Sequence, residues 1–400
     1  MFTLSKYNIA ITTLAFSVWF FLFPYIVWGK TYLYIIVLIM SIITTYFYIH
    51  NKYFKIDTLL FIFLITILVF TFNLLNNASI VWSIVVSFMF LLVLLFTKDD
   101  IKNIFYKFKF IFAISLIPSM IIWILHIIGV DINIFSIGTL EAPNPLKTEA
   151  GQFYILFPGT SILNYMLDSP IIRLQGMYNE PGVVGTIAGL ILVSEKMNLK
   201  NRSNIIIFIA GIMSLSLAFF ITMLLYAFFT LKKNIYQVIS FLLFLFVIYN
   251  FLPTTIQSQI KARTIERIEL DKNFKMKGYN RENKYSNNWE NWINSDTESF
   301  LFGIDYVSDG SSSWKNILIK SGYIGFFLII IIYMLLLFIN LKKINYDQFI
   351  FLFLFFLLFI QRPSIISPVY LLIFIYAAEN LKPVNKTLLI PKLIIGNKNE

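Results

Sequence analysis

"NIIIFIAGIMSLSLAFFITMLLYAFFTL", Asn204 to Leu231, is the stretch on which the fold turns. It is longer than the roughly 20 apolar residues that a helix needs to cross about 30 Å of hydrocarbon. Arg202 stands just before it and Lys232 and Lys233 just after, and cations flanking a span belong on the cytoplasmic side. Two ends on one side require an even number of crossings. The run therefore reads as two short limbs that meet near Ser214 and Ser216, with polar backbone that survives at such depth only where it is buried in protein or lines a wet cavity. One tilted helix would instead invert the threading of everything downstream.

The remaining sequence was threaded by the same rule. The chain has 400 residues, 58 % of them hydrophobic and only 13 % charged, with 43 Phe. Its mean hydropathy is +0.77. Apolar runs of helical length recur from the N-terminus, and the ten-residue alternation of barrel strands is not seen. Spans are expected at 9–28, 31–49, 57–75, 79–96, 110–129, 178–194, the two limbs of 204–231, 235–252, 316–339, 348–361 and 364–379. The first follows Lys6 as a signal peptide would, yet it is too long and lacks a small-residue cleavage site, so it reads as an uncleaved span.

Basic residues fall in alternate connections: Lys52 and Lys55, then Lys98, Lys102, Lys107 and Lys109, then "EKMNLKNR" from Glu195, then the tail with Lys382, Lys386, Lys392 and Lys398. The expected fold is an all-α polytopic integral membrane protein of about 12 transmembrane helices, with both termini cytoplasmic. It forms one membrane domain over residues 1–400, with large extracytoplasmic loops at 130–173 and 253–313 and a cytoplasmic tail at 380–400. Orientation absorbs much of the net charge of +11, so nucleic acid is not the expected partner.

With no cysteine, disulfides, thiolate nucleophiles and cysteine metal ligands are excluded. Two histidines cannot build a zinc site without several carboxylates. The informative cations are those on the outer face, where orientation gives them no purpose. "RLQGMYNEPGVVG" runs from Arg173 to Gly185 and combines a cation, the carboxylate Glu180 and a glycine-rich helix start. Arg173 reads either as a solvated charge or as an anion ligand. Glu180 reads either as a cap in the first turn or as a base held beside a cation. Gly182, Gly185 and Gly189 leave a thin helix face for close packing or for a ligand tail.

In the second loop Ile260, Thr264, Ile265 and Ile268 recur at helical spacing beside Arg263 and Arg267, and an amphipathic surface helix is expected there. Trp289 and Trp292 suit either an interfacial belt or sugar rings. Lys315, Lys320 and Arg362 lie at the outer ends of late spans, where a charge either snorkels or serves function.

"RLQGMYNEPG", "SFLFGIDYVSDGSSSWKNILIKSGYIGF" and "QRPSIISPVYLL" together resemble the Wzy-type O-antigen and oligosaccharide repeat-unit polymerases, within the wider family that includes the O-antigen ligases. The topology likeness covers the whole chain and the motif likeness about a quarter of it. Ser216-Leu217-Ala218 departs from the Ser-Arg-Gly often found at the apex in that family, and the absence of any histidine after His126 favours polymerase over ligase.

The resemblance implies a GT-C-like enzyme of the bacterial inner membrane that transfers a growing glycan from undecaprenyl diphosphate to a new undecaprenyl-diphosphate-linked repeat, with its active site on the extracytoplasmic face, no cofactor and no metal. It implies catalytic roles for Glu180, Arg173, Asp305 and Asp309. It implies substrate-binding roles for Arg263, Arg267, Arg281, Trp289, Trp292, Lys315, Lys320 and Arg362. Expected partners are membrane lipid, the lipid-linked glycans, a chain-length regulator and a flippase. A ligase-type glycosyltransferase and a polysaccharide transporter or flippase are the alternatives, the latter weakened by the lack of visible repeats between the chain's halves.

Overall fold

The computed structural model describes residues 2–28, 30–49, 56–76, 78–131, 136–140, 153–156, 161–164, 173–230, 282–304, 314–340, 344–361 and 366–382, together with positions 236, 243, 250, 254, 257, 258 and 261. The bundle is built from α1 (Phe2–Phe20), α2 (Thr31–Ile49), α3 (Ile56–Leu75), α4 (Ile80–Leu94), α5 (Lys98–Ile127), α6 (Pro181–Ser194), α7 (Arg202–Met213) and α8 (Leu217–Thr230). It continues with α9 (Glu282–Ile293), α10 (Thr297–Phe302), α11 (Trp314–Asn340), α12 (Tyr346–Gln361) and α13 (Pro368–Asn380). Among the described residues, four helical stretches are long and apolar enough to cross a membrane: Thr31–Tyr48, Thr58–Leu75, Lys98–Ile127 and Trp314–Leu337. Shorter apolar helices accompany them. Large apolar side chains such as Ile36, Ile39, Ile43, Leu60, Phe63 and Ile67 stay exposed along α2 and α3. Contiguous exposed apolar surface of this kind marks contact with lipid or another apolar partner.

Among the helix boundaries that differ from the expected spans, two have a clear local reason. α1 ends at Phe20 and not near Trp28, because Pro24 disfavours helical backbone in the residue before it; Phe23 has φ 55° and the chain turns through a 3₁₀ segment at Tyr25–Val27. α5 begins at Lys98, well before residue 110. Thr97 and Asp100 form a capping box there, in which Asp100 accepts from the Thr97 backbone N–H at 3.2 Å.

The stretch 204–231 is broken where Ser214 and Ser216 suggested. α7 stops at Met213, Leu215 takes φ 46°, and α8 starts at Leu217. A Cβ on Gly185 would meet Ser216, and one on Gly189 would meet Thr222, so α8 runs beside α6 in the same direction. The side chains of Glu195 and Asn204 meet at the other end of α6, so α7 returns antiparallel to it. The limbs thus form a hairpin. Its outer ends lie near Lys196, which pairs with Asp347 at 2.6 Å, and near Tyr346, whose hydroxyl donates to the Phe229 carbonyl at 2.9 Å.

Among the described residues, the same end of the bundle gathers the other ion pairs. Lys98 and Lys382 both reach Glu379, at 2.6 and 2.8 Å. Lys109, expected as a solvated topological charge, is instead buried and bonded to Glu195 at 2.6 Å, with side-chain exposures of 2 % and 7 %. Asn204 and Tyr376 donate to the same carboxylate at 2.6 and 3.0 Å, which ties α5, α6, α7 and α13 together.

The segment 130–173 was expected as loop, yet it carries a three-stranded antiparallel sheet in the order β1 (Ser136–Leu140), β2 (Phe153–Leu156) and β3 (Ser161–Asn164). The sequence reading missed it because each strand has only four or five residues, too few for an alternating pattern to stand out. The helical class stands; the sheet is an addition to one connection.

Candidate functional site

The end of the bundle opposite Lys98 and Lys196 collects the polar groups that ion pairing leaves over. Three local constructions build it. In the first, the strip Arg173–Glu180 crosses the mouth of the α7–α8 hairpin. Leu174 N–H donates to the Met213 carbonyl at 3.1 Å, and the Arg173 guanidinium donates to the carbonyls of Ser214 and Leu215 at 3.1 and 3.0 Å. These are acceptors that a helix ending at Met213 cannot satisfy internally, and a cation there complements the negative end of the helix dipole. Arg173 thus holds the break open as well as carrying charge. Tyr178 lies under the strip, fully buried, accepting from the Trp19 indole at 2.9 Å and sharing a 2.7 Å hydrogen bond with the Ser115 hydroxyl. Glu180 occupies the N-cap position of α6 in extended conformation, with Pro181 next, but its carboxylate makes no capping bond to the first turn.

The second construction is the kink in α11. Gly322 has φ 60° and ψ −167° inside the helix, a conformation that only glycine adopts without strain. The kink frees the Ile319 carbonyl, which accepts from the Ile304 N–H at 2.8 Å. Gly303, at φ 93°, lies backbone to backbone against Lys320 and Ser321, and Gly322 against Leu301. The glycines of "FLFGIDY" and "KSGYIG" are thus the two halves of one backbone crossing. It docks α9 and α10 onto α11 through a small core in which Trp292 is 1 % exposed.

That burial corrects the reading of Trp292 as a sugar platform. Its ring stacks on Phe300 at 4.9 Å and packs against Tyr323 at 5.5 Å and Trp289 at 5.1 Å, so no face is open to a ligand. Trp289 is half-buried and carries the Lys315 ammonium 4.9 Å from its ring centroid. These two expected binding residues partner each other. The glycine-rich face of α6 is likewise occupied: Gly185 and Gly189 pack on Ser216 and Thr222, leaving no groove there for a lipid tail.

The third construction is a cavity of about 270 Å³ just N-terminal to the kink, lined by the Lys320 side of α11. Phe21, Phe23, Phe72 and Trp82 give it an aromatic wall, with Phe21 and Phe23 at 5.7 and 5.5 Å from the Trp82 ring. Asn73, Asn76 and Ser367 give it polar groups, and Pro368 starts α13 at its edge. Lys320 is half-buried, and its ammonium has no hydrogen-bond or ionic partner among the described residues. The cavity and the Arg173 strip are joined through one short segment. Tyr25 N–H donates to the Met177 carbonyl at 2.8 Å and Pro24 bridges to Tyr178, directly after the two phenylalanines that line the cavity.

Of the expected site residues, Arg173 and Glu180 stand on one strip, Lys320 lines the cavity, and Lys315, Trp289 and Trp292 belong to the docked core. Arg263, Arg267, Arg281, Asp305, Asp309 and Arg362 lie outside the described residues, as does the amphipathic stretch from Ile260 to Ile268 apart from Lys261. Sequence reasoning missed Asn73, Asn76 and Trp82. The one available signal was that the Asn-rich turn after α3 carries amides and no charge, at an end where a bare topological turn needs neither. Among the described residues no three His, Asp or Glu side chains come together in a group able to hold a metal ion.

Helices with lipid-compatible surfaces define this chain as a helical membrane-embedded protein. No family model matches the chain, and neither does any curated protein or solved structure.

Proposed function

We propose that this protein polymerises lipid-linked oligosaccharide repeat units at the outer face of a bacterial inner membrane. The observation that supports the reading is the gathering of Arg173, Glu180 and Lys320, which has no partner among the described residues, at the end of the bundle away from the described ion pairs, joined through residues 21–25. In this reaction a sugar hydroxyl of the acceptor repeat attacks the anomeric carbon of the donor glycan. The new C–O bond forms as the bond to undecaprenyl diphosphate breaks, the hydroxyl proton passes to a carboxylate, and the diphosphate leaves with the electron pair. Glu180 is the proposed base, with Asp305 or Asp309 as the alternatives. Cations stabilise the leaving diphosphate, and guanidiniums suit its oxygens through bidentate bonding. Lys320 and the arginines of the second loop serve that role in this proposal.

The test uses purified protein in neutral detergent with a synthetic prenyl-diphosphate repeat unit and reads product ladders on a gel. Wild type should give a ladder, and Glu180→Gln should slow it by about 10²-fold or more, the usual worth of a positioned base. An unchanged ladder in Glu180→Gln would move the base to Asp305 or Asp309. No ladder from folded protein given its matched glycan would leave the second reading, a transporter or flippase, which the broken α7–α8 hairpin also suits.

A further inference from the structure

We infer that the cavity around Lys320 is a binding site for a single phosphate group, presented either as the headgroup of an amphiphile or as free phosphate. The inference rests on the cavity and its cation, and not on the reaction proposed above; a polymerase, a ligase and a transporter would all be compatible with it. Four observations converge on it.

The first is charge. Among the described residues the lining contains Lys320 and no Asp or Glu, and the ammonium lacks any partner. A half-buried cation with no countercharge among the described lining residues is costly unless an anion visits it. The second is hydrogen bonding. Asn73 donates to the Val69 carbonyl at 2.8 Å with one of its two amide hydrogens, leaving the other. Ser367 accepts from the Val369 N–H at 3.4 Å, and its own hydroxyl proton remains to be given. The start of α13, where Ser367 is the N-cap and Pro368 follows, adds positive potential of the same sign. It supplements Lys320 and carries nothing alone.

The third is size. At about 270 Å³ the cavity falls just below the range of roughly 300–1,000 Å³ typical of sites for drug-sized ligands. A phosphate and its first few carbons fit such a space; an oligosaccharide does not. The fourth is the wall. Phe21, Phe23, Phe72 and Trp82 offer apolar surface beside the cation, at the end of helices whose flanks are lipid-compatible. Tyr34 packs on three rings of this region, at 5.7, 6.0 and 4.9 Å from Phe21, Phe23 and Trp82, and its buried hydroxyl has no hydrogen-bond partner. An apolar wall beside a lone cation suits a phosphate that carries an alkyl chain better than one that does not.

Calorimetric titration in a maltoside detergent, which contains no phosphate, tests the site with three probes: hexyl phosphate, hexanol and inorganic phosphate. Saturable binding of hexyl phosphate that weakens about tenfold or more in Lys320→Gln, the scale of one lost charge-assisted hydrogen bond, is the expected result. Lys320→Arg should keep most of the affinity, and Lys196→Gln, at the far end of the bundle, should keep all of it. Since Lys320 bonds to no described side chain, Lys320→Gln should elute and melt like wild type, and the arginine variant guards against a folding artefact. Inorganic phosphate binding as tightly as hexyl phosphate would support the site and assign it to the free ion. Equal affinity for hexanol and hexyl phosphate, absence of saturable binding, or binding untouched in Lys320→Gln would overturn the inference. No glycan is present, so this result is separable from success or failure of the polymerisation assay.

Discussion

A methyl group added at Gly185 would come within 2.2 Å of the Ser216 Cβ and 2.6 Å of its hydroxyl oxygen. The nearest atoms are fixed close to the backbone of the apex, so the collision cannot be relieved by swinging a long side chain aside. Gly185→Ala should therefore destabilise the protein by about 1–3 kcal/mol, the usual cost of overpacking, read as a lower melting temperature in detergent. Ser216→Gly in the same chain should recover part of the loss, while Gly138→Ala, with nothing within 4 Å of the added carbon, should change little. The glycine spacing of "PGVVGTIAG" announced a thin helix face, which is a local property. Its occupant, the α8 limb, lies some thirty residues away in sequence, and spacing alone did not separate a helix partner from a lipid tail. Arg173 teaches the same lesson. Its charge and position were legible, whereas its bonds to the carbonyls of Ser214 and Leu215 exist only because the hairpin folds back beneath it.

At the scale of elements, the docking of α9 and α10 on α11 depends on one backbone crossing. A Cβ on Gly322 would sit 2.1 Å from the Leu301 carbonyl oxygen, and φ 60° is itself unfavourable for alanine. Gly322→Ala should release residues 282–302, measured as faster limited proteolysis in that segment and as exposure of Trp292. A variant that keeps wild-type protection there would refute the crossing. A second element-scale contrast concerns ion pairs. Glu195→Gln strands the buried Lys109 without a countercharge, and breaking a buried pair costs about 3–5 kcal/mol. Lys196→Ala removes a pair whose members are 48 % and 34 % exposed and should cost about 0–1 kcal/mol. Similar melting points for the two variants would show that Glu195 does not join its four helices as described. Neither effect was evident in the sequence. Lys109 looked like one of several topological lysines, and "EKMNLKNR" looked like a solvated loop, because a one-dimensional reading cannot tell which of several similar charges a neighbouring helix will cover.

The whole molecule has two unlike ends, and this polarity was the most legible property of the chain. The alternation of lysine-rich and lysine-poor connections anticipated that Lys98, Lys196 and Lys382 would gather together, opposite the Asn-rich turn after α3 and the strip leading into α6. Hydropathy did not reveal what those turns build, because the cavity draws its described lining from the turn after α1, from α3, α4 and α11 and from the start of α13, no two of which carry a joint motif. The positive-inside rule predicts that the lysine-rich end faces the cytoplasm, since translocation disfavours short loops dense in Lys and Arg. The chain contains no cysteine, so a single introduced thiol reports its own position without background. Asn198→Cys, exposed between α6 and α7, and Asn294→Cys, exposed after α9, mark the two ends. A membrane-impermeant maleimide added outside should label Cys at position 294 in spheroplasts and should label Cys at position 198 only after lysis. The reverse pattern would place the Lys320 cavity on the cytoplasmic side and remove the polymerase from consideration, because its glycans are joined outside. Labelling of both positions from one side would contradict either the hairpin or the span expected at 235–252, since an odd number of crossings between residues 198 and 294 needs two limbs in the stretch from Asn204 to Leu231 and one crossing after it.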